Sequence, residues 1–320
     1  MKTEPFSKTF GTILHGSSGS LLDLDRQVVA NHLRDAGLVL LRGFNPSEDE
    51  FAKFNPGFGT QYVAHLGGIR GAATGSGTDK PSLNPERGPV EIAGKVQTGI
   101  HTATRGTQGI NPHSEASYSP MSPDLLWFYC RIPNAPGEGR TGFVDGIDIF
   151  RAMSDATREA FTKALIRWHV RVPRSYLEEQ LRARFEDLAK VWLDGRSNVK
   201  YTIHPDNTIE VEYIAPSIRT SKFGSELGFC NSLLSRMPFR EVVLDDLHRF
   251  VPDLPRAPVA EAMERAHDNM KYLDWETGDV VFVDNTRVMH AREPFIDSKR
   301  TLWVVTMAAT SPVWKTRHVA

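Results

Sequence analysis

The fold is best indicated by the stretch GDVVFVDNTRVMH at residues 278–290. Its apolar, β-branched centre at residues 280–283 predicts a buried strand that ends in a turn. His290 follows that turn and is therefore expected near a strand end. An imidazole in such a position is a candidate metal ligand, because histidine is a common metal ligand in proteins. The alternative is a histidine at the surface or in a hydrogen bond.

A second segment, His113-Ser114-Glu115, supplies two more candidate ligands. In an extended strand the side chains of His113 and Glu115 point to the same face. The pair alone is a weak signal, since 11 histidines and 39 acidic residues in 320 positions produce such spacings by chance. Together with His290, however, two imidazoles and one carboxylate suit a divalent transition metal, and three ligands on one face leave the opposite positions open. This pattern suggests an oxygen-activating iron site.

The flanks of both segments strengthen this interpretation. Glu115 is followed by a strand-like run at residues 125–130 and by a turn rich in proline and glycine that ends at Thr141. Beyond His290, Arg300 precedes a second strand-like run at residues 301–307.

These features resemble the taurine-dioxygenase and clavaminate-synthase type of Fe(II)/2-oxoglutarate-dependent oxygenases. The likeness lies in the His-x-Glu motif and the strand after it, in the turn ending at Thr141, and in the block at residues 278–295 with Arg300 beyond it. Residues 37–44 are similar to the opening strand of that family.

The resemblance implies that His113, Glu115 and His290 bind Fe(II), and that Arg300 with Thr141 holds the distal carboxylate of 2-oxoglutarate, with O₂ as the third reactant. Arginine suits this role because its planar, permanently charged fork matches a carboxylate. Two alternatives stay open at this point. In the first, Arg300 is an exposed cation at the start of a strand. In the second, Thr141 is only a capping residue of its turn.

Two positions depart from the best-known family members. Glu115 stands where many have aspartate, which favours the branch that acts on amino-acid-like substrates and argues against halogenation. Val304 stands where the taurine and clavaminate enzymes carry a second arginine for the acidic group of the substrate. Arg292 and Arg105 are therefore candidates for binding the substrate, with Arg287 and Arg70 as further arginines nearby.

The resemblance implies a mainly β fold with peripheral helices and a double-stranded β-helix (jelly-roll) core. We expect a single oxygenase domain over residues 1–320, with a helical insertion at about 150–275 between the metal-ligand motifs. Apolar spacing predicts helices at 154–167, 176–192, 239–251 and 257–270, and a strand at 168–172. A capping-box pattern at Ser47 predicts a helix just after the first strand, and the glycine-rich residues 67–78 are interpreted as a loop, with a lid as one use.

Composition narrows the class of protein further. With 38 basic and 39 acidic residues the net charge is −1, which gives no global attraction to nucleic acid or an anionic membrane. The only cysteines, Cys130 and Cys230, predict packing rather than a disulfide framework. No apolar run is long enough for a membrane span or a signal peptide. We therefore expect a cytoplasmic enzyme that acts on a small-molecule substrate. The assembly state is not fixed by the sequence, and a homo-oligomer is compatible with it.

The function expected from the resemblance is oxidation of an unactivated C–H bond, by default hydroxylation, coupled to decarboxylation of 2-oxoglutarate to succinate and CO₂. The leading substrate class is an amino acid, free or tethered to a carrier protein, and a small sulfonate or carboxylate is the second. Desaturation or cyclisation would use the same residues. Two other classes remain as alternatives: a zinc hydrolase, and a non-catalytic ligand-binding protein.

Overall fold

A computed structural model describes residues 1–16, 19–61, 89–92, 95–103, 107–181, 183–296 and 300–315. In chain order, the strands within these residues are β1 (Lys2–Pro5), β2 (Thr12–His15), β3 (Leu38–Arg42), β4 (Thr60–Gln61), β5 (Pro89–Ile92), β6 (Lys95–Thr102), β7 (Ile110–His113), β8 (Leu125–Ile132), β9 (Thr141–Asp145), β10 (Leu165–Pro173), β11 (Val199–Ile203), β12 (Thr208–Pro216), β13 (Arg219–Thr220), β14 (Leu227–Gly228), β15 (Lys271–Leu273), β16 (Val280–Asp284), β17 (Val288–Arg292) and β18 (Thr301–Ala308). The α-helices are α1 (Arg26–Ala36), α2 (Glu48–Phe54), α3 (Gly146–Ala152), α4 (Asp155–Lys163), α5 (Arg174–Leu181), α6 (Phe185–Trp192), α7 (Leu244–His248) and α8 (Arg256–Asp268).

Two β-sheets form the centre of the protein. The larger has the order β1-β2-β3-β16-β8-β18-β6-β5, with β4 also pairing with β18, and the smaller has the order β15-β9-β17-β7. Their described strand pairs are antiparallel except for β2 and β3, which run parallel. The predicted mainly β architecture with peripheral helices is confirmed.

An apolar layer lies between the two sheets. Phe128, Val281 and Val283 of the larger sheet pack with Phe143 and Val288 of the smaller one. The predicted strand at residues 280–283 is β16, and all its side chains are buried because it lies between β3 and β8 inside the sheet. The smaller sheet carries His290 on β17 and His113 on β7. It is therefore held in place by its apolar contacts with the larger sheet.

The other face of the larger sheet is covered by α1 and α2. The capping box at Ser47 forms as predicted and begins α2. In this layer the rings of Trp127 and Phe282 stack with centroids 3.7 Å apart and planes 10° from parallel. Neither side chain has any exposed surface.

Replacing Phe282 with alanine is expected to lower the free energy of unfolding by about 3–5 kcal/mol, because the lost apolar contacts leave a cavity that a packed sheet cannot close. Urea denaturation followed by circular dichroism measures this. The control is Ile296→Ala, which changes a 93% exposed side chain and should stay within about 0.5 kcal/mol of the wild type. Equal stability of the two variants would show that this aromatic layer is not part of the cooperative core.

The segment at about 150–275 is mixed rather than purely helical. The strand predicted at 168–172 is confirmed as part of β10, which pairs with β12, and β12 pairs with β11. The helix predicted at 154–167 was too long: α4 ends at Lys163, and β10 begins at Leu165 with alternating exposed and buried residues.

The other helices predicted in this segment form in altered lengths. Two helices, α5 and α6, occupy the range predicted as one helix at 176–192. The range 239–251 holds only the short α7, whereas α8 matches the prediction at 257–270 closely. The glycine-rich residues 67–78 lie outside the described part of the chain.

Two further expectations concern the cysteines and membrane spans. Cys130 and Cys230 are both free and buried, as expected for packing residues. Burial raises the pKa of Cys130 to about 12, so this thiol stays protonated. Among the described helices, none combines the length and the apolar character needed to cross a bilayer.

Candidate metal centre

Strand pairing places two of the predicted ligands opposite each other. β7 and β17 are antiparallel neighbours, and His113 pairs directly with His290 in their register. The centroids of the two imidazole rings are 4.2 Å apart. Two segments far apart in the sequence thus present their imidazoles side by side on one face of the smaller sheet.

Glu115 reaches the same place through a turn. β7 ends at His113, and Glu115 lies in the turn that follows, where Ala116 adopts a positive φ of 51°. The expectation that strand alternation alone would align His113 and Glu115 was therefore wrong in its detail. A turn replaces the strand because Ser114 is drawn away by its own hydrogen bonds, to Asn231 from its amide and to Asn285 from its hydroxyl.

The three side chains converge on one point. The carboxylate oxygen Oε2 of Glu115 lies 3.6 Å from Nε2 of His290 and 3.9 Å from Nε2 of His113. All three ligand atoms lie within 4.8 Å of one another, and Glu115 and His290 are buried. Two nitrogens and a carboxylate oxygen at this spacing can hold a divalent transition metal on three sides, so the residues present fit an iron ion.

Hydrogen bonding prepares His113 for such a role. Its Nδ1 lies 2.9 Å from the carbonyl oxygen of Asn111, which can only accept, so Nδ1 carries the proton and Nε2 keeps its lone pair. Burial, with repulsion from His290 as a smaller cause, lowers the pKa of His113 to about 3. The imidazole is therefore neutral at physiological pH, as a metal ligand must be.

Asn285, which sequence reasoning did not single out, holds the turn that carries Glu115. Its Oδ1 accepts from the Glu115 amide at 2.7 Å, and its Nδ2 donates to the carbonyls of Glu115 at 3.0 Å and Pro123 at 2.8 Å. The amide group uses donor and acceptor at once, which aspartate or leucine cannot do. Its position directly after β16 was the only sequence signal.

Replacing Asn285 with alanine is expected to weaken binding of a divalent metal by about 10- to 100-fold, because groups that orient ligands typically contribute this much to metal affinity. Calorimetric titration with Co(II) measures the effect. Asn198→Ala, which changes an exposed asparagine bonded to Ile214, is the control and should bind Co(II) like the wild type. Equal affinity in both variants would contradict a role of Asn285 in aligning Glu115.

A cation lies beside this centre, next to the hydroxyl of Thr141. Arg300 donates from Nη1 to the carbonyl oxygen of Gly139 at 3.0 Å and approaches Oγ1 of Thr141 at 3.4 Å. The same Oγ1 accepts from the indole of Trp275 at 2.8 Å. Burial lowers the pKa of Arg300 to about 10, which still leaves it charged at neutral pH.

No carboxylate in the described part of the chain forms an ion pair with Arg300. Removing a cation from water without a counter-ion is costly, and such charges are normally paired. A carboxylate of a bound small molecule would supply the missing negative charge. Thr141 also pairs with Arg292 across β9 and β17, two positions along from His290, so Arg300 and Thr141 lie close to the strand that carries His290.

The remaining predicted arginines lie in different places. Arg292 is buried on β17, where it donates to the carbonyl of Gln108 at 2.7 Å and packs over the ring of Phe295. Arg287, which directly precedes β17, donates two hydrogen bonds to Asp145 at the end of β9, at 3.0 and 2.7 Å, and so forms a structural ion pair. Arg105 and Arg70 lie outside the described residues.

Val304, the position where related enzymes carry a second arginine, is buried in the apolar layer between the sheets. It offers no polar group to a ligand.

Comparison with known proteins identifies a family for this chain. The sequence profile described as "Taurine catabolism dioxygenase TauD, TfdA family" matches residues 2–306. A clavaminate synthase-like protein of Arabidopsis thaliana is 24% identical over 289 residues, which cover 84% of this chain and 81% of that protein.

Solved structures show the same fold at low sequence identity. PvcB of Pseudomonas aeruginosa superimposes with a TM-score of 0.58 at 15% identity, covering 96% of this chain and 91% of PvcB. A taurine dioxygenase of Burkholderia xenovorans gives a TM-score of 0.55 at 16% identity, covering 96% of this chain and 89% of that one. AAD-2, solved with Mn(II) and N-oxalylglycine, gives 0.57 at 13% identity and 98% coverage of both chains. The predicted jelly-roll core is confirmed.

Proposed function

Because this chain belongs to the taurine catabolism dioxygenase TauD, TfdA family, we propose that it oxidises an unactivated C–H bond of a small amino-acid-like substrate. The enzyme class itself is that of 2-oxoglutarate-dependent non-haem iron dioxygenases, with Fe(II) and 2-oxoglutarate as cofactor and co-substrate. The proposal concerns which residues bind these groups and which substrate is oxidised.

One observation carries the residue assignment. His113, Glu115 and His290 converge within 4.8 Å, and an arginine without a carboxylate partner among the described residues lies beside Thr141 on the neighbouring strand. We assign the first three to iron, and Arg300 with Thr141 to the distal carboxylate of 2-oxoglutarate. A zinc hydrolase would need the three metal ligands but would have no use for Arg300 and Thr141.

Each residue has a task that follows from its surroundings. Bound iron would supply the activation of O₂, coupled to the oxidative decarboxylation of 2-oxoglutarate to succinate and CO₂. His113 stays neutral and oriented through Asn111, and Glu115 is held in place through Asn285. Arg300 fixes the co-substrate by charge and by the geometry of its fork. The protein thereby fixes the positions of reactants that would otherwise meet at random.

The proposed substrate class follows from the carboxylate ligand and from the names of the related proteins. Glu115 in the carboxylate position favours an amino acid, and the relative from Arabidopsis thaliana is named after clavaminate synthase. A small sulfonate is the second candidate, since the family is named after taurine. Val304 offers no charge to such a group, so another cation has to take that role in this chain. Hydroxylation is the proposed outcome, and the amino acid is either free or bound to a carrier protein.

An anaerobic visible spectrum tests the residue assignment before any substrate is known. Metal-free protein receives Fe(II) and then 2-oxoglutarate, and we expect a charge-transfer band that requires both additions. Succinate release is then measured with a panel of amino acids and sulfonates. Well-folded protein that gives no band would contradict the assignment of His113, Glu115 and His290 to iron.

A further inference from the structure

We propose that Arg236 binds the anionic group of the substrate, an α-carboxylate or a sulfonate, and that the substrate is therefore a free small acid. This inference rests on the proposed function, whose substrate it specifies. Arg236 takes the role that Val304 cannot fill.

Arg236 belongs to a cluster that it forms with Tyr118 and Trp168, here called the Arg236 cluster. Its guanidinium carbon lies 4.3 Å from the ring centroid of Tyr118 and 5.6 Å from that of Trp168. Two aromatic faces hold the planar group in one orientation while leaving its edge available for hydrogen bonds.

The Arg236 cluster lacks negative charge and contains unused donors. No carboxylate in the described part of the chain forms an ion pair with Arg236, and its side chain shares a hydrogen bond with that of Tyr118. Nε of Arg236 and Nε1 of Trp168 are both buried without a hydrogen-bond acceptor among the described residues. Trp168 has only 2% of its surface exposed. Buried donors are normally satisfied, so a cation and an indole without acceptors fit an anion that is supplied from outside.

The position of Arg236 is fixed relative to the proposed iron ligands. Asn111, which precedes His113 on β7, donates from its side chain to the carbonyls of Leu234, Met237 and Pro238 at 3.1, 3.2 and 2.8 Å. Arg236 therefore lies on a short segment that is attached to the strand of His113.

The same segment is also attached to the turn of Glu115. Ser232 donates to the carbonyl of Ser114 at 2.6 Å, and its hydroxyl lies 2.6 Å from that of Ser117. Tyr118 belongs to that turn as well. Arg236 and its aromatic neighbour Tyr118 are therefore both attached to the turn that carries Glu115.

Arg236 and Arg300 lie in different parts of the fold. Tyr118 and Trp168 belong to the apolar cluster of the 150–275 segment, whereas Arg300 adjoins Thr141 and Trp275 between the two sheets. One cation is thus available for 2-oxoglutarate and a second for the substrate. A thioester on a carrier protein lacks the α-carboxylate, so recognition by Arg236 favours the free acid.

Calorimetry on protein loaded with Mn(II) and N-oxalylglycine tests this without turnover. The titrants are the L-amino acids, their α-carboxamides, and taurine as the sulfonate. We expect an acid to bind the wild type about 10- to 100-fold more tightly than its amide, the usual contribution of hydrogen bonds to a charged group. Tighter binding of taurine than of any amino acid would identify the anion as a sulfonate.

Arg236→Gln should remove the difference between acid and amide, and Arg236→Lys should keep part of it. A purely structural role would weaken acid and amide alike, so the ratio separates the two explanations. Arg240→Gln is the matched control: this arginine lies nearby, over Phe239 and bonded to Tyr272 at 3.2 Å, and should leave the ratio unchanged.

The inference is overturned if the ratio survives in Arg236→Gln, if the wild type binds amides as well as acids, or if it binds none of these anions. The spectrum with Fe(II) and 2-oxoglutarate is recorded on the same variant. A band in Arg236→Gln with an unchanged ratio refutes only the role of Arg236, whereas absence of the band in the wild type refutes the proposed function.

Discussion

His290→Ala is expected to lower the rate of 2-oxoglutarate decarboxylation by more than about 100-fold. Residues that merely orient metal ligands contribute about 10- to 100-fold, so loss of a ligand should cost more. Three side chains converge at this centre, which leaves none to spare when one is removed. The measurements are succinate formation with Fe(II) and 2-oxoglutarate, and Co(II) affinity by calorimetry.

The control for this prediction is His267→Ala. This histidine also lies near β7, 3.4 Å from Oδ1 of Asn111, but it is not one of the three converging residues. It should keep the Co(II) affinity within a few-fold of the wild type. Normal Co(II) affinity and turnover in His290→Ala would refute the metal assignment, and an equal loss in both variants would point to general damage near β7.

Local sequence patterns predicted those parts of the molecule that depend on neighbours along the chain. The run at residues 280–283 is apolar on both faces because β16 lies inside a sheet, and this property is visible in the sequence. The capping box at Ser47 is likewise complete within four residues. The His-x-Glu pair became informative only when it was combined with His290.

Long-range contacts could not be predicted in this way. Asn285 supports Glu115 across 170 positions of sequence, and nothing in its own neighbourhood indicates the partner. The same holds for Arg236, which is distinguished from other arginines only by its packing against Tyr118 and Trp168. Arginine is usually exposed, so composition alone would place it at the surface.

The 150–275 segment shows a different reason for failure. Residues 154–167 have apolar spacing compatible with a helix throughout, yet the chain turns into β10 after Lys163 because residues from Leu165 onward pair with β12. Tertiary pairing overrides a weak local preference there. The sheet formed by β10, β12 and β11 contributes Trp168 to the Arg236 cluster, which we propose to bind the substrate.

Arg236 and Arg300, which form no ion pair with a carboxylate among the described residues, are expected to destabilise the ligand-free protein. A cation that loses part of its hydration and gains no carboxylate destabilises the folded state until a ligand supplies the charge. The resulting stabilisation by ligand depends on affinity and concentration. Replacing such an arginine should therefore weaken ligand binding without lowering the stability of the ligand-free protein. Replacing a member of a structural ion pair, such as that between Arg287 and Asp145, should lower the stability.

Arg300→Met is expected to change ligand binding and stability in this unequal way. We expect the affinity for 2-oxoglutarate to fall by about 100-fold or more, because a charge-assisted, two-pronged interaction with a carboxylate is lost. The free energy of unfolding without ligand should not fall, since methionine fills similar space without a charge to desolvate. The affinity is read from the charge-transfer band during titration with 2-oxoglutarate under anaerobic conditions, and the stability from urea denaturation.

Two further variants define what the loss at Arg300 means. Arg300→Lys keeps the charge but not the fork, so its affinity should lie between those of the wild type and Arg300→Met. Arg140→Met removes a neighbouring arginine that is already paired with Glu293 at 2.7 Å, and should leave 2-oxoglutarate affinity unchanged. If Arg300→Met instead destabilises the ligand-free protein and keeps its affinity, Arg300 is a structural residue and the co-substrate carboxylate binds elsewhere.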